Sequence, residues 1–309
     1  MRREHALVRG SSKVPPRWCS RNTKKPQRAI VYLFEKDCMF VCMFRIEIAE
    51  SEPIRTKFCM TRMTSPLDLY RKRAMFAWKD LKNAVEGHHA VRIKKEMYAK
   101  LEKEPIFARN YDRPSQKQLR ELNHRRWKKI IEMGLPCNPF EDSEGYLCLT
   151  EVLETYDQGL SARLALHASV FITAISSMGT QRHNEILEQA KRNEIVGCFC
   201  LTEVSHGSNT QEIQTTASFD TGEFVFNSPN DGAIKCWAGN LSHSATHAVV
   251  FAQLHVSGKC EGVHAFLLQI RNRENYEPLH GITIGDMGEK PGAWNGVENG
   301  WMEFKVFLH

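Results

Sequence analysis

From residue 65 to residue 193, apolar positions recur every three or four residues, the spacing of one helix face. The stretch HHAVRIKKEMYAKLEKE places Ile93, Met97 and Leu101 four apart with charges between them, and Pro105 ends it. In SQKQLRELNHRRWKKIIEMG, Ser115 is placed to cap a helix whose apolar side carries Leu119, Leu122, Ile130 and Ile131 and which stops at Gly134. SARLALHASVFITAISSMG carries a stripe of Leu164, Ala168, Phe171, Ile175 and Met178 and is apolar almost all round, the pattern of a helix buried inside a bundle. QRHNEILEQAKRNE follows as a short amphipathic helix.

At Ile195 the period falls from 3.6 to two. TTASFDTGEFVFN reads as a hairpin turning at Asp220–Thr221–Gly222, with Phe219 on one arm and Phe224 and Phe226 on the other. HAVVFAQLHV and GVHAFLLQIR read as strands joined through Ser257–Gly258–Lys259, and GITIGDMG and GWMEFKVF as shorter strands. A helical block followed by a strand block with no helix in it predicts an α+β chain. The expected architecture is a helical domain followed by an antiparallel, barrel- or sandwich-like β domain. The domain boundaries expected are 1–55 for an N-terminal extension, 56–196 for the helical domain and 197–309 for the β domain. Within the extension, IVYLFEKDCMFVCMFRIEI has the apolar content of one or two strands.

Composition adds limits rather than an answer. The 309 residues suffice for one large domain or two ordinary ones, and 42% hydrophobic with 25% charged residues is ordinary for a globular chain. No uninterrupted apolar run approaches the roughly 18 residues of a membrane span. The net charge of +6 is mild and gives no reason to expect a nucleic-acid partner. Its excess sits early, where Arg2, Arg3, Arg9, Lys13, Arg17, Arg21, Lys24, Lys25 and Arg28 face only Glu4. Pro15, Pro16 and Pro26 interrupt that tail, which reads as a solvated extension rather than an amphipathic presequence. The ten cysteines include no Cys-x-x-Cys, so neither zinc-ribbon nor thioredoxin spacing is present, and no metal site is expected. Cys198 and Cys200, two apart, share one strand face as small hydrophobes.

Two loops carry the candidate chemistry. CLTEVSHGSN brings the Thr202 hydroxyl, and AIKCWAGNLSHSATHAVVF brings Trp237 with Gly239 two residues on. An aromatic plane, donors and a close backbone approach suit a flat heteroaromatic ligand. The histidines His206, His243, His247 and His264 read as structural or surface residues, since no pair has ligand spacing with an acid partner, whereas Glu203 is by residue type a tempting base.

Five ordered blocks then decide the class. GCFCLTEVSHGSNTQEIQTTASFD, EFVFNSP, IKCWAGNLSHSATHAVVFAQL, GVHAFLLQIR and GITIGDMGEKPG resemble the acyl-CoA oxidases, and most of all their pristanoyl-type and oxidase-like members. FARNYDRPS, RELNHRRWKKI and SSMGTQRHNEIL fit upstream, so the likeness runs from about Trp78 to Trp301. The resemblance implies FAD as cofactor, a fatty acyl-CoA as partner, a homodimeric full-length family and a peroxisomal setting. It implies α,β-dehydrogenation to a trans-2-enoyl-CoA, with O2 as electron acceptor. By position, Thr202 would hydrogen-bond the flavin ring, Gly239 would sit in the flavin-contacting turn, Trp237 would lie near the ring, and Ser208 would touch the acyl-CoA. The family's catalytic base is a Glu in a C-terminal helical region, so the resemblance implies a structural role for Glu203; WMEFKVFLH stops short of that region, so it also implies a C-terminally shortened form with impaired chemistry and no readable peroxisomal signal. Ala238 stands where several members have Pro. A non-catalytic binding module derived from an oxidase, or a mitochondrial acyl-CoA dehydrogenase suggested by the basic N-terminus, are the competing readings.

Overall fold

The computed structural model describes residues 30–35, 38–43, 65–109, 114–220 and 222–308. The basic tail before residue 30 lies outside the described residues. The chain divides into two compact units, Met1–Arg73 and Ala74–His309. In the first, β1 (Ile30–Glu35) pairs antiparallel with β2 (Cys38–Met43), Val31 opposite Cys42. A short helix, α1 (Asp68–Lys72), follows, and the Ser65 N–H donates to the Asp68 carboxylate at its start (2.7 Å).

The second unit holds both the helical and the strand-forming parts. Its helices are α2 (Trp78–Glu86), α3 (His88–Leu101), α4 (Gln116–Glu132), α5 (Ser143–Tyr156) and α6 (Gln158–Ala165). A π-helical segment, Leu166–Ile172, carries α6 into α7 (Thr173–Met178), and α8 (Asn184–Lys191) closes the series. Local chemistry sets these starts. Ser115 and Gln118 form the reciprocal capping box of α4. The Asp142 and Asp157 carboxylates accept the Gly145 and Leu160 N–H groups (2.8 and 3.1 Å), capping α5 and α6. Helical side chains including Trp127, Ile130, Leu149, Leu153, Leu160 and Leu164 are buried in one cluster. At about 1.5–3 kcal/mol for each fully buried large apolar side chain, that cluster dominates the stability of this part.

Met178, which the helical stripe placed inside, is half exposed at the end of α7. The continuous Gln158–Met178 helix is long and apolar enough by length and composition to cross a membrane, which the search for uninterrupted apolar runs overlooked. In this fold it lies against the β sheet: Phe171, Ile172 and Ile175 pack with Ile195 and Val249.

The strands are β3 (Gly197–Cys200), β4 (Thr216–Asp220), β5 (Glu223–Asn227), β6 (Lys235–Ala238), β7 (His247–Val256), β8 (Lys259–Gln269), β9 (Ile282–Asp286), β10 (Gly300–Phe304) and β11 (Phe307–Leu308). The α+β reading holds, but the pairing is mixed rather than wholly antiparallel. Along one edge of β7, β3 pairs with its first half and β4 with its second half, both parallel, while β8 runs antiparallel along the other edge. The reason is topological. The loop after β3 leaves the sheet, crosses beside β6 and returns as β4 in the same direction. β6, β10 and β9 form a separate three-stranded antiparallel sheet. Phe226, Phe304, Met302, Val250 and Leu268 fill the space enclosed by the strands.

Candidate functional site

Strand β6 contains one residue too many for its partner. Gly300 of β10 pairs with Ala238 and Met302 with Lys235, two steps on one strand against three on the other. Such a bulge re-aims side chains. Here it falls on Cys236 and Trp237, and Trp237 has φ +63°. A bulky residue in the left-handed region is a genuine backbone outlier. Strict alternation would send Lys235 and Trp237 to the same interior side. The bulge instead leaves Lys235 fully buried and turns the indole of Trp237 outward, 55% exposed.

The segment Thr202–Val204 runs antiparallel to β6. Cys236 N–H donates to the Thr202 carbonyl (3.0 Å) and Val204 N–H to the Ile234 carbonyl (3.0 Å), which puts Glu203 opposite Lys235. Thr202, Val204, Ile234 and Cys236 therefore share one face. On that face lies a cleft of about 360 Å³ lined by Val204, Ile234, Cys236, Trp237, Met287 and Trp301. Trp301 reaches it because its β10 position faces Gly285 of β9, and the indole occupies the space a Cβ there would fill (2.2 Å from ring carbon Cε2). Thr202 is half-buried, and its hydroxyl makes no hydrogen bond among the described residues.

The opposite face of the same ribbon is a buried ion pair. Lys235 Nζ lies 2.8 Å from Glu203 Oε1 and also donates to the carbonyls of Phe251 (2.6 Å) and Leu201 (3.4 Å). Glu203 also accepts from the N–H groups of Gln214 (2.8 Å) and Thr215 (3.0 Å) and from the Thr215 hydroxyl (2.6 Å). Burial alone pushes the Glu203 carboxyl up, but the Lys235 ammonium and these donors outweigh it and hold its pKa below the usual carboxylate range. Glu203 is thus an ionised anchor, as the structural reading of the sequence expected, with its carboxylate committed away from the cleft. Breaking such a pair from one side costs about 3–5 kcal/mol.

Gly239 is buried immediately beyond β6. Its φ is outside the left-handed region; a Cβ placed there would lie 2.2 Å from Leu166 Cδ1 and 3.2 Å from Val297 Cγ1. The side-chain direction of Gly239 therefore points at the π-helical segment rather than into the cleft. Ser208 stands in an exposed turn six residues past Thr202 and is not among the cleft-lining residues. The structure brings Thr202 and Trp237 to one face, sets Gly239 in the adjoining turn beneath, and leaves Ser208 outside. His206 meets the Ser205 hydroxyl through Nδ1 (3.0 Å) and its Nε2 lies 3.1 Å from Glu203 Oε2, an acid partner that sequence spacing did not reveal; His243 and His264 make only local hydrogen bonds, and buried His247 meets the Thr246 hydroxyl (3.0 Å). Cys198 and Cys200 lie with sulfurs 3.7 Å apart on one buried strand face.

Sequence reasoning did not single out Trp301, Met287 or Lys235. Alternation in GWMEF, with Met302 and Phe304 inward, is the signal that places Trp301 outward. A second concavity, about 700 Å³, lies in the helical part between α3, α5 and α6, with Lys94 paired to Glu86 and to Glu151 (2.6 Å) on its wall.

Comparison with known proteins completes the picture. No protein-family model matches the chain. Acyl-coenzyme A oxidase acox-3 of Caenorhabditis elegans is 61% identical over 244 residues, covering 79% of this chain and 37% of that protein. Peroxisomal acyl-coenzyme A oxidase 3 of Homo sapiens is 44% identical over 245 residues, 77% of this chain and 35% of that protein. The crystal structure of acyl-CoA oxidase-1 from Caenorhabditis elegans, complexed with FAD and ATP, superposes with a TM-score of 0.69 at 32% identity, covering 79% of this chain and 38% of that one. The chain thus spans little more than a third of the length of the relatives it matches. Across that shared part the chain carries their fold and is homologous to the acyl-CoA oxidases.

Proposed function

We propose that this chain supplies the flavin-facing wall of an acyl-CoA oxidase site, used in peroxisomal fatty-acid β-oxidation for α,β-dehydrogenation of a fatty acyl-CoA to its trans-2-enoyl-CoA with O2 as acceptor. The observation that carries the reading is the bulge that turns Trp237 onto the face of the uncommitted Thr202 hydroxyl, within a chain 61% identical to an acyl-CoA oxidase over 244 residues. The cleft lining suits the planar ring of the cofactor that the lineage implies. It is apolar, walled by two indoles, and its volume is within the range of roughly 300–1,000 Å³ seen for small-molecule sites. FAD held there would supply the hydride acceptor and the route of electrons to O2.

The chain's own residues then have distinct tasks. Trp237 and Trp301 offer aromatic surface against a planar ring and exclude water from it. The Thr202 hydroxyl and N–H are the donors for the ring edge, where charge accumulates on reduction. Gly239 belongs to the turn that carries Trp237, and Ser208 is assigned to the acyl-CoA. Glu203 is not the base that removes the α proton, because its carboxylate is locked to Lys235 on the far face. The ion pair instead fixes the height of Thr202 relative to Cys236.

Titration of the purified chain with FAD, followed by flavin absorbance and tryptophan fluorescence, tests the reading. Saturable quenching that is lost in Trp237→Phe supports it. A folded, colourless protein whose fluorescence does not respond to FAD would overturn it. Peroxide formation on addition of a fatty acyl-CoA separates catalysis from binding alone.

A further inference from the structure

Three non-glycine residues with left-handed backbone lie where the chain leaves β6 and meets residues 297–298: Trp237 (φ +63°), Asn240 (φ +64°) and Glu298 (φ +58°). Such residues persist only where the surroundings over-determine them. The two segments that contain them are stitched together by backbone bonds. Asn240 N–H donates to the Val297 carbonyl (3.1 Å) and Ser242 N–H to the Glu298 carbonyl (3.2 Å), while within the first segment Ala245 N–H donates to the Asn240 carbonyl (2.8 Å).

Beneath them lies Arg163 of α6, with no solvent exposure. Its Nε donates to Asn240 Oδ1 (3.3 Å), its Nη2 to the Ser244 hydroxyl (2.8 Å) and its Nη1 to the Arg120 carbonyl (3.2 Å). Nη1 also lies 3.1 Å from Glu298 Oε1. Asn240 returns a bond from Nδ2 to the Arg163 carbonyl (3.0 Å), and the second Glu298 oxygen accepts from the Ser244 N–H (3.1 Å) and hydroxyl. Every guanidinium nitrogen is committed, and its partners come from both strained segments. Leu166, one turn along the same helix, fills the space beside Gly239.

A buried ion pair is poor evidence of stabilisation, since apolar residues of equal volume often hold a seam as well. What apolar residues cannot supply is direction. Here the directed bonds converge on the side chains of Asn240 and Ser244, in the segment that leads out of the bulge, and of Glu298 opposite it. We infer that Arg163 is a positioning residue for the cleft: with Glu298, Ser244 and Asn240 it holds residues 237–244 in the conformation that presents Trp237. The consequence for flavin rests on the reading of the cleft given above; the positioning itself does not.

The test compares the wild-type chain with Arg163→Met/Glu298→Met, which removes both charges and every bond made by those two side chains while retaining bulk, and with Arg163→Lys, which retains charge without the fork. Amide exchange over residues 237–244 and acrylamide quenching of Trp237, read in flavin-free protein, report positioning. Exchange that accelerates about tenfold or more in that segment, while β7 amides keep wild-type protection, supports the inference. FAD affinity falling by about the same factor extends it to the cofactor. Unchanged exchange and quenching in a folded variant overturn it, as does a uniform rise across all strands, which marks a merely structural role. Loosened exchange with wild-type FAD affinity overturns the functional half. If the wild-type chain itself takes up no FAD, the flavin reading fails, and exchange and quenching still decide the positioning. Should the double variant not fold, Arg163→Lys carries the same readouts.

Discussion

Replacing Gly239 by Ala separates two reasons for a glycine at the edge of the cleft. The sequence suggested that a side chain there would collide with a ligand. The structure gives a different obstacle, because the new Cβ would meet Leu166 Cδ1 at 2.2 Å and Val297 Cγ1 at 3.2 Å. Normal contact lies at about 3.4 Å or more, so the Leu166 methyl must retreat by more than an ångström or the strand and helix must part. Overpacking of this kind costs about 1–3 kcal/mol. The backbone contributes no penalty, since Gly239 is not in the left-handed region. Stiffening of the unfolded chain offsets about 0.4–1 kcal/mol. The net loss is then about 1–2 kcal/mol, and at about 2–4 °C per kcal/mol for a unit of this size the melting midpoint drops by roughly 2–8 °C.

Calorimetry or urea unfolding of the flavin-free chain measures this directly. The decisive control is Leu166→Ala. Alone it loses packing; combined with Gly239→Ala it vacates the space the new methyl needs. The double variant is then more stable than the sum of the two single effects predicts, by about 1–2 kcal/mol. Gly239→Ala that leaves the flavin-free midpoint untouched, shows no coupling to Leu166 and yet abolishes FAD uptake would refute the packing account and restore the ligand one.

Three further outcomes follow from the same geometry. Lys235→Met leaves the Glu203 carboxylate buried without its cation and lowers unfolding free energy by about 3–5 kcal/mol in urea titration, whereas adding Glu203→Gln recovers a large part of that loss. Trp237→Gly relieves a left-handed backbone at an exposed position, so the flavin-free chain is as stable as wild type or more so while FAD binding weakens; a large stability loss would show that the bulge is not strained. His167 accepts the Gly197 N–H at Nδ1 (3.1 Å) and faces the Ala190 carbonyl through Nε2 (3.0 Å), which fits a buried neutral ring whose pKa burial lowers from 6.5 to about 4. The unfolded chain takes up a proton as pH falls through 6.5 and the folded chain does not until about 4, so stability is full above that window and about 3 kcal/mol of it is lost on crossing it. The slope should flatten in His167→Gln, and an imidazole that titrates normally by NMR would contradict the assignment.

The sequence revealed what depends on neighbours in the chain and hid what depends on partners far away. α3, α4 and the β4–β5 and β7–β8 hairpins follow from periodicity, caps and turns, all of which act within a few residues. The parallel attachment of β3 and β4 to β7 is not legible, because alternation says which face is buried and nothing about which edge is met. The bulge is hidden for the same reason: its extra residue exists only relative to β10, some sixty positions on. Lys235 sits in the core because Glu203 and two carbonyls receive it, and no local rule predicts a fully buried lysine. Thr202 and Trp237 stand out in the sequence because a hydroxyl and an indole advertise their chemistry, and the structure adds only that they share one face. Gly239 stands out as a glycine, and a glycine records that something is close without saying what; here Leu166 and Val297 are close.

The two buried ion pairs gain meaning from where they stand. Lys235 is anchored to Glu203 two residues before the strained Trp237, and Asn240 is anchored to Arg163 three residues after it. The bulge therefore lies between fixed points belonging to different structural neighbours, the β3-side loop on one flank and α6 on the other. A left-handed Trp costs on the order of 1–3 kcal/mol, and a segment pinned at one end only would relax by letting the indole fold back. Pinning both ends removes that escape, so the outward indole is the ground state of the chain rather than something a ligand must induce. A ligand that stacks on Trp237 then meets a surface already in place, and its binding energy is not spent on ordering the wall it binds.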